Sequence, residues 1–307
     1  INFKKLIFNK KTDFTRYNYF LAEYLLSIGK IEEAKIVIKE ALTKNPRNLL
    51  INQFNFELEN NKIKKIFNCK NQSHVIAEIF YLTANALSSQ SIYTFSNYYL
   101  NLAKYLNSDF KSFNTLLAEN FYNMNELNKS LKIYENIEKQ GAIFSWHAVK
   151  QKARILIKEK KEEKALKLLK AAYKKLPVKN IYETFEYAEF LKNNEKFESA
   201  IQYYSNILEK IKNDHPLYPE ITDGRGVSYE RVGQWEKAEK DLLSSLKVSP
   251  DQAYVINYLA YTWIEKGIKI KQSLKMLENA NKLKSNDPYI IDSLGWALFK
   301  LKDYENS

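Results

Sequence analysis

The side chains that most readily betray metal or nucleophilic chemistry are sparse in this sequence. His74, His147 and His215 lie far apart, and none stands at ligand spacing from another histidine or from the single cysteine, Cys69, so no metal site is expected. One cysteine also excludes an intramolecular disulfide and leaves the redox compartment open. Gly224-Arg225-Gly226 could pass for a phosphate-binding fragment, but it lies inside a helical pattern and follows no strand. No Ser/His/Asp or Cys/His combination can be placed on one face, so neither a catalytic site nor a cofactor is expected. What remains is the chemistry of binding. Lys150, Arg154 and Lys158 recur every four residues and form one basic stripe along a helix, suited to an acidic partner or to RNA. Tyr254, Asn257, Tyr258, Tyr261, Tyr289, Asp292, Trp296 and Phe299 put aromatics among polar groups, the mixture found at interface hot spots.

These residues are positioned by a repeat. Its clearest copy is Gly226–Pro250, GVSYERVGQWEKAEKDLLSSLKVSP: Gly226 and Tyr229 share one face of a first helix, Gly233 turns the chain, Ala238 and Leu242 line a second helix, and Pro250 ends it. The small residue of the first helix recurs at Ala22, Ala84, Ala118, Ala153, Ala188, Gly226, Ala260 and Gly295, at spacings of 62, 34, 35, 35, 38, 34 and 35. A period near 34 is the mark of a repeat array. The interval of 62 leaves room for a shortened pair near Leu49–Lys70, with helices LLINQFNFELE and KIKKIFNC. The unit begun by Ala260 is longer by one residue, because Ser273 follows thirteen positions later instead of twelve.

This pattern resembles the tetratricopeptide repeat, over about residues 15–307. The blocks Asn-Tyr-Leu-Ala-Tyr at 257–261 and Asp-Ser-Leu-Gly-Trp at 292–296 look like the C-terminal repeats of a bacterial, especially alphaproteobacterial, member of that family. The resemblance implies an all-α fold, a right-handed superhelical solenoid of antiparallel helix pairs. It also implies a non-enzymatic scaffold, whose concave face of first helices holds an extended segment or helix of a partner protein. The expected organisation is an N-terminal segment 1–14, an N-terminal array 15–218 of about six pairs, and a C-terminal array 219–307 whose last repeat is truncated. The lengthened linker around His215, Pro216 and Pro219 sets the boundary.

In the repeat register the inner stripe runs through the residue after each anchor, Glu23, Asn85, Glu119, Arg154, Glu189, Val227, Tyr261 and Trp296. It also takes the residue four earlier, Tyr19, Tyr81, Thr115, Lys150, Phe185, Asp223, Asn257 and Asp292. Relatives that grip a C-terminal carboxylate carry a lysine and an asparagine at these two positions of one repeat. No repeat here has that pair, which argues against carboxylate-clamp binding. For the C-terminal aromatics two readings stand, a partner groove or packing against a continuation of the array. For the basic stripe, a Glu119–Arg154–Glu189 ladder would neutralise Arg154 and leave Lys150 and Lys158 free for an acidic ligand.

The bulk numbers fit this picture. The chain has 307 residues, 45% hydrophobic and 27% charged, with seven glycines and six prolines, ordinary for helical material. No apolar run suggests a membrane span. The net charge of +12 is local: residues 1–70 hold 14 basic against 7 acidic side chains, residues 145–180 hold 12 against 3, and the rest 22 against 26. RNA binding through 145–180 is the alternative function, which the near-neutral remainder disfavours. A start at Ile1 and a stop at Ser307 read as a fragment or processed piece, with self-association possible at the C-terminal end. The compartment, cytoplasmic or periplasmic and membrane-associated in a bacterium, is not legible.

Overall fold

A computed structural model describes residues 15–110, 112–176 and 179–305; the expected N-terminal segment 1–14 and the closing Pro177 of the fifth unit lie outside them. Sixteen helices and no strand occur among the described residues. In order they are α1 (Thr15–Ser27), α2 (Ile31–Lys44), α3 (Leu49–Glu59), α4 (Gln72–Ser89), α5 (Tyr93–Leu106), α6 (Ser112–Asn123), α7 (Leu127–Ile137) and α8 (Ala142–Lys158). There follow α9 (Glu162–Lys175), α10 (Ile181–Asn193), α11 (Phe197–Leu208), α12 (Tyr218–Arg231), α13 (Trp235–Val248), α14 (Ala253–Glu265), α15 (Ile270–Leu283) and α16 (Pro288–Lys300). They fall into two compact units, Ile1–Pro177 and Val178–Ser307. The lengthened linker that the sequence marks as a boundary lies inside the second unit, where α11 packs on α12 across it.

Within each unit the fold is a succession of antiparallel helix pairs: α1–α2, α4–α5, α6–α7 and α8–α9 in the first, α10–α11, α12–α13 and α14–α15 in the second. The anchors Ala22, Ala84, Ala118, Ala153 and Ala188 are completely buried, as are their partners twelve residues on, Ala34, Ser96, Ser130, Ala165 and Ala200; buried Gly226 has Ala238 at the same interval, and Ala260 has Ser273 at thirteen. Small side chains are needed here because the helices touch; a Cβ added to Gly226 would meet Leu242 at 3.0 Å. Where serine replaces alanine it must still find a partner. Ser96 and Ser130 solve this alike, donating to the carbonyls of Ala84 and Ala118 at 2.8 Å.

The turn is equally constant. Seven residues after every anchor stands a residue in the left-handed region: Gly29, Ser91, Asn125, Lys160, Glu195, Gly233, Gly267 and Lys302, with φ between 58° and 77°. Only at three of these is it glycine. The extra residue of the last full pair adds a second such position, Lys269, with φ 50°. Its ammonium is held by Glu239 at 2.7 Å and lies 4.2 Å from the ring of buried Trp263, whose indole N–H donates to the same carboxylate. The shifted register leaves the buried hydroxyl of Ser273 with no partner.

The shortened unit departs from expectation. Its first helix forms as α3, capped by the Asn48 side chain, but Lys62–Asn68 is not helical. Instead both backbone groups of Ile66 are taken by side chains: its N–H donates to Glu23 Oε1 at 3.2 Å, and its carbonyl accepts from Asn107 Nδ2 at 3.1 Å. Phe67 is buried, its ring centroid 4.3 Å from that of Phe20 and 6.3 Å from that of Phe110. An eight-residue helix is marginal by itself, and these contacts outweigh it. α3 packs on α1 and α2 and also on α8, where Gln53 Oε1 accepts from the Ile143 N–H.

Two tests follow from the repeat geometry. Glu195→Gly, at an exposed left-handed position, should stabilise the protein by about 1 kcal/mol in a denaturant titration, since a side chain is strained there. Ser130→Ala should cost about 1 kcal/mol through its lost hydrogen bond, whereas Ser273→Ala should be neutral or stabilising because its hydroxyl is unsatisfied. Equal losses at both serines would refute the assigned register.

Candidate functional site

The residues just after the anchors do meet groups from the neighbouring helices, chiefly tyrosines that composition alone does not single out. Tyr134 of α7 donates to Glu119 of α6 at 3.2 Å, and Tyr204 of α11 makes a short hydrogen bond to Glu189 of α10. Donor and acceptor are fifteen residues apart in both cases. Both tyrosines are almost fully buried, and burial, followed by the adjoining carboxylate, pushes both phenols far up. The sequence signal was a glutamate one place after the anchor with a tyrosine on the second helix.

The basic stripe is bound internally. Arg154 donates to Glu119 at 2.9 Å and lies 3.9 Å from the Tyr122 ring centroid, with Lys158 over the same ring at 4.6 Å. Lys150 sits 5.9 Å from the Trp146 ring. The expectation that Lys150 and Lys158 stand free is therefore corrected: aromatic faces of α6 and α8 hold them. Of the expected ladder the Glu119–Arg154 rung forms. Glu189, in the second unit, engages Lys192 through both oxygens at 2.9 Å as well as Tyr204.

Gly224-Arg225-Gly226 is packing rather than phosphate chemistry. A Cβ at Gly224 would come within 2.6 Å of the Tyr204 hydroxyl and 2.9 Å of Glu189. Arg225 forks onto Asp241 at 2.6 and 2.9 Å. Beside them Asp223 is half-buried. Burial pushes its carboxyl up to about 6, with Glu189 and Glu220 adding to the shift and Lys192 opposing it.

The C-terminal aromatics divide between two places. Tyr261 joins Ile291, Asp292, Trp296 and Phe299 around an open trough of about 770 Å³. Trp296 and Phe299 stack with centroids 5.3 Å apart and planes 7° from parallel. The Trp296 indole N–H is fixed by Glu265 at 2.6 Å. Tyr261 is 39% and Phe299 47% exposed, so both keep surface for a partner. Tyr254 instead donates to Asp287, the side-chain cap of α16, at 2.8 Å, and Lys284 lies against its ring. Tyr289, in the first turn of α16, is 74% exposed. Tyr258 points the other way, donating to Glu230 at 2.7 Å, and burial together with that carboxylate raises its phenol. Asn257 is half-buried with its Oδ1 unpartnered.

Helix pairs with a buried small-residue contact, a left-handed turn and a period near 34 are the fold of the tetratricopeptide repeat. Comparison with known proteins agrees. The chain is similar to a TPR repeat-containing protein of Pseudomonas aeruginosa, 30% identical over 155 residues, a match covering 49% of this chain and 25% of that relative. The matched region is thus a quarter of the length of this curated relative. Among solved structures it is similar to the Cut9–Hcn1 hetero-tetramer of the APC/C, with 14% identity and a TM-score of 0.56, over 95% of this chain and 57% of that one. The C-terminal part of a TPR repeat-containing protein from Cytophaga hutchinsonii matches with 15% identity and a TM-score of 0.48, over 73% of this chain and 88% of that one. No family model matches the sequence.

Asp223 provides a test by pH. Its folded pKa is raised, so the folded state binds the proton more tightly than the unfolded state. The resulting stabilisation is complete below about 4 and is lost as pH rises through about 6. Asp223→Asn should therefore be more stable than wild type at pH 7.5, by about 1–3 kcal/mol, and the gap should narrow to about half by pH 5 and close only below about pH 4. A constant difference in melting temperature across that range would refute the assignment.

Proposed function

We propose that the chain is a non-enzymatic scaffold that holds a segment of a partner protein against the first-helix faces, with the C-terminal trough as the principal anchor site. The observation that carries this reading is the trough itself. Tyr261, Trp296 and Phe299 line an open cleft together with Ile291 and the exposed carboxylate of Asp292. Rigid aromatics with unspent surface beside a polar group are what interface anchors need. Exposed Tyr289 extends the site along α16, and half-buried Asn257 lies on α14 with its Oδ1 turned inward. Tyr254 and Tyr258 fall outside the trough, their hydroxyls committed to Asp287 and Glu230.

In the first unit the same reading gives Lys150 and Lys158 a subsidiary part, as cations set on aromatic rings that an acidic stretch of the partner could reach. RNA binding through 145–180 draws less support, because Arg154 is already paired with Glu119 and its charge is partly neutralised there.

Peptides selected from a random display library on the intact chain provide the test. Trp296→Ala and Tyr261→Ala should each weaken a selected peptide by more than about 1 kcal/mol, or roughly fivefold, with the circular dichroism of the helices unchanged. Unaltered affinity in both variants would overturn the trough as the anchor; parallel loss of helicity would assign both residues to the core.

A further inference from the structure

From α6 onward in the first unit, each first helix packs on the second helix of the pair before it, α6 on α5 and α8 on α7. α4 lacks that neighbour, because Lys62–Asn68 is not helical. Phe67 of that segment packs on Phe20 of α1, which leaves one side of α4 open. The position five before the anchor is buried in every later first helix, as Phe113, Ala148, Glu183, Ile221, Val255 and Ile290, but Ile79 of α4 is 55% exposed. Ile76 and Leu82, one turn to either side of it, are exposed too.

The second helix of the same pair is unlike its neighbours on its outer side. Phe95, Tyr98 and Tyr105 of α5 are 64%, 60% and 87% exposed. Counted from buried Ser96, Ser130 and Ala165, the same three positions are Lys129, Lys132 and Lys139 in and just after α7, and Lys164, Lys167 and Lys174 in α9, all exposed. Across α4 and α5 the only carboxylate and the only ammonium are Glu78 and Lys104, and Glu78 is buried under the fork of Arg16. A chain of net charge +12 repels its own copy wherever lysines meet; on this pair that repulsion is lifted.

We propose that the chain pairs with a second copy of itself through α4 and α5, about a two-fold axis that lays Phe95 and Tyr98 of each α5 on Ile76, Ile79 and Leu82 of the other copy's α4. A two-fold interface must match its own image. It therefore needs an apolar seat, an apolar helix to fill it and no excess of one charge, and this pair supplies all three. Ile76, Ile79, Leu82, Phe95, Tyr98 and Tyr105 leave on the order of 700 Å² in water, close to one partner's share of a standard interface, about 800 Å², and more than a monomer ordinarily exposes in one apolar patch. A lipid surface is the poorer fit, since interfacial helices carry lysines beside their apolar face and Lys104 stands alone on these two helices. The inference does not rest on the C-terminal trough, and its failure would leave that reading untouched.

Sedimentation equilibrium of the intact chain, with a reductant present because Cys69 is exposed, provides the test. The mass should rise with concentration from 36.2 kDa to twice that value and stop there. Tyr98→Lys, which gives α5 the residue found at that position in α7 and α9, should weaken the dimer at least tenfold with the circular dichroism of the helices unchanged. Phe95→Glu should do the same, and should one of the two fail to fold, the other decides. Lys132→Glu, at the matching position of α7, should leave the dimer intact. Interfaces of standard size bind at micromolar concentration or tighter, so a chain still monomeric at about 100 μM would overturn the proposal. So would a mass that grows past the dimer, a dimer that survives both variants, or one that Phe299→Glu abolishes instead, which would place the contact at the C-terminal end. Flotation of a monomeric chain with phosphatidylglycerol vesicles, lost in the same two variants, would assign the face to a lipid surface and overturn it as well.

Discussion

Everything in this chain hangs on a contact between two small side chains. A first-helix alanine or glycine meets a second-helix alanine or serine twelve residues later, and at that distance neither helix can carry more than a methyl or hydroxymethyl group. The contact sets the separation of the helices, and the twelve-residue interval sets the turn. A chain reversing direction in so few residues needs one left-handed residue, and it appears seven places after each anchor whether or not glycine is there to take it. That serine, asparagine, lysine and glutamate accept this conformation shows which constraint is stronger: about 1–2 kcal/mol of local strain yields to the burial of a whole helix face.

The two irregularities show what happens when that interval is broken. One extra residue after Ala260 is absorbed by a second left-handed residue, Lys269, tied down through Glu239 and Trp263; the residual cost is the unpaired Ser273 hydroxyl. In the shortened unit there is no room for a second helix at all. The chain then gives up local hydrogen bonding, and Glu23 and Asn107 satisfy the Ile66 backbone in its place. Phe67 supplies the buried apolar surface that the absent helix would have offered.

The architecture was legible because it rests on alanine, glycine and spacing, which a sequence displays directly. Second-helix positions filled by serine were legible for the same reason, since size decides there and polarity is handled by the carbonyl twelve residues back. The helix at 62–69 was misread: Lys-Ile-Lys-Lys-Ile-Phe has an amphipathic look, and nothing local announces that a glutamate forty-three residues earlier will claim its backbone. The candidate site was less legible than the fold. Of its residues, Tyr261, Asp292, Trp296 and Phe299 share the trough while the others lie elsewhere, and register does not say which of them are already occupied. Lys158 on Tyr122 and Tyr258 on Glu230 are pairings between helices, and each depends on side-chain reach rather than on sequence interval.

That occupation explains how a chain of net charge +12 leaves few isolated charges on its first helices. Glu119 takes Tyr134 and Arg154, Glu189 takes Tyr204 and Lys192, and Arg225 takes Asp241. Except for Glu189–Lys192, which lies within α10, each pairing ties one helix to the next and withdraws a group from solvent, so charge along these faces contributes to cohesion. On the proposed reading, a partner is held where this matching is incomplete. The trough keeps Tyr261 and Phe299 partly exposed around its aromatic walls. Because the small-residue contacts hold the helices rigidly, these unmatched groups cannot collapse onto substitutes within the fold. The rigidity that makes the array stable therefore keeps its few open positions open.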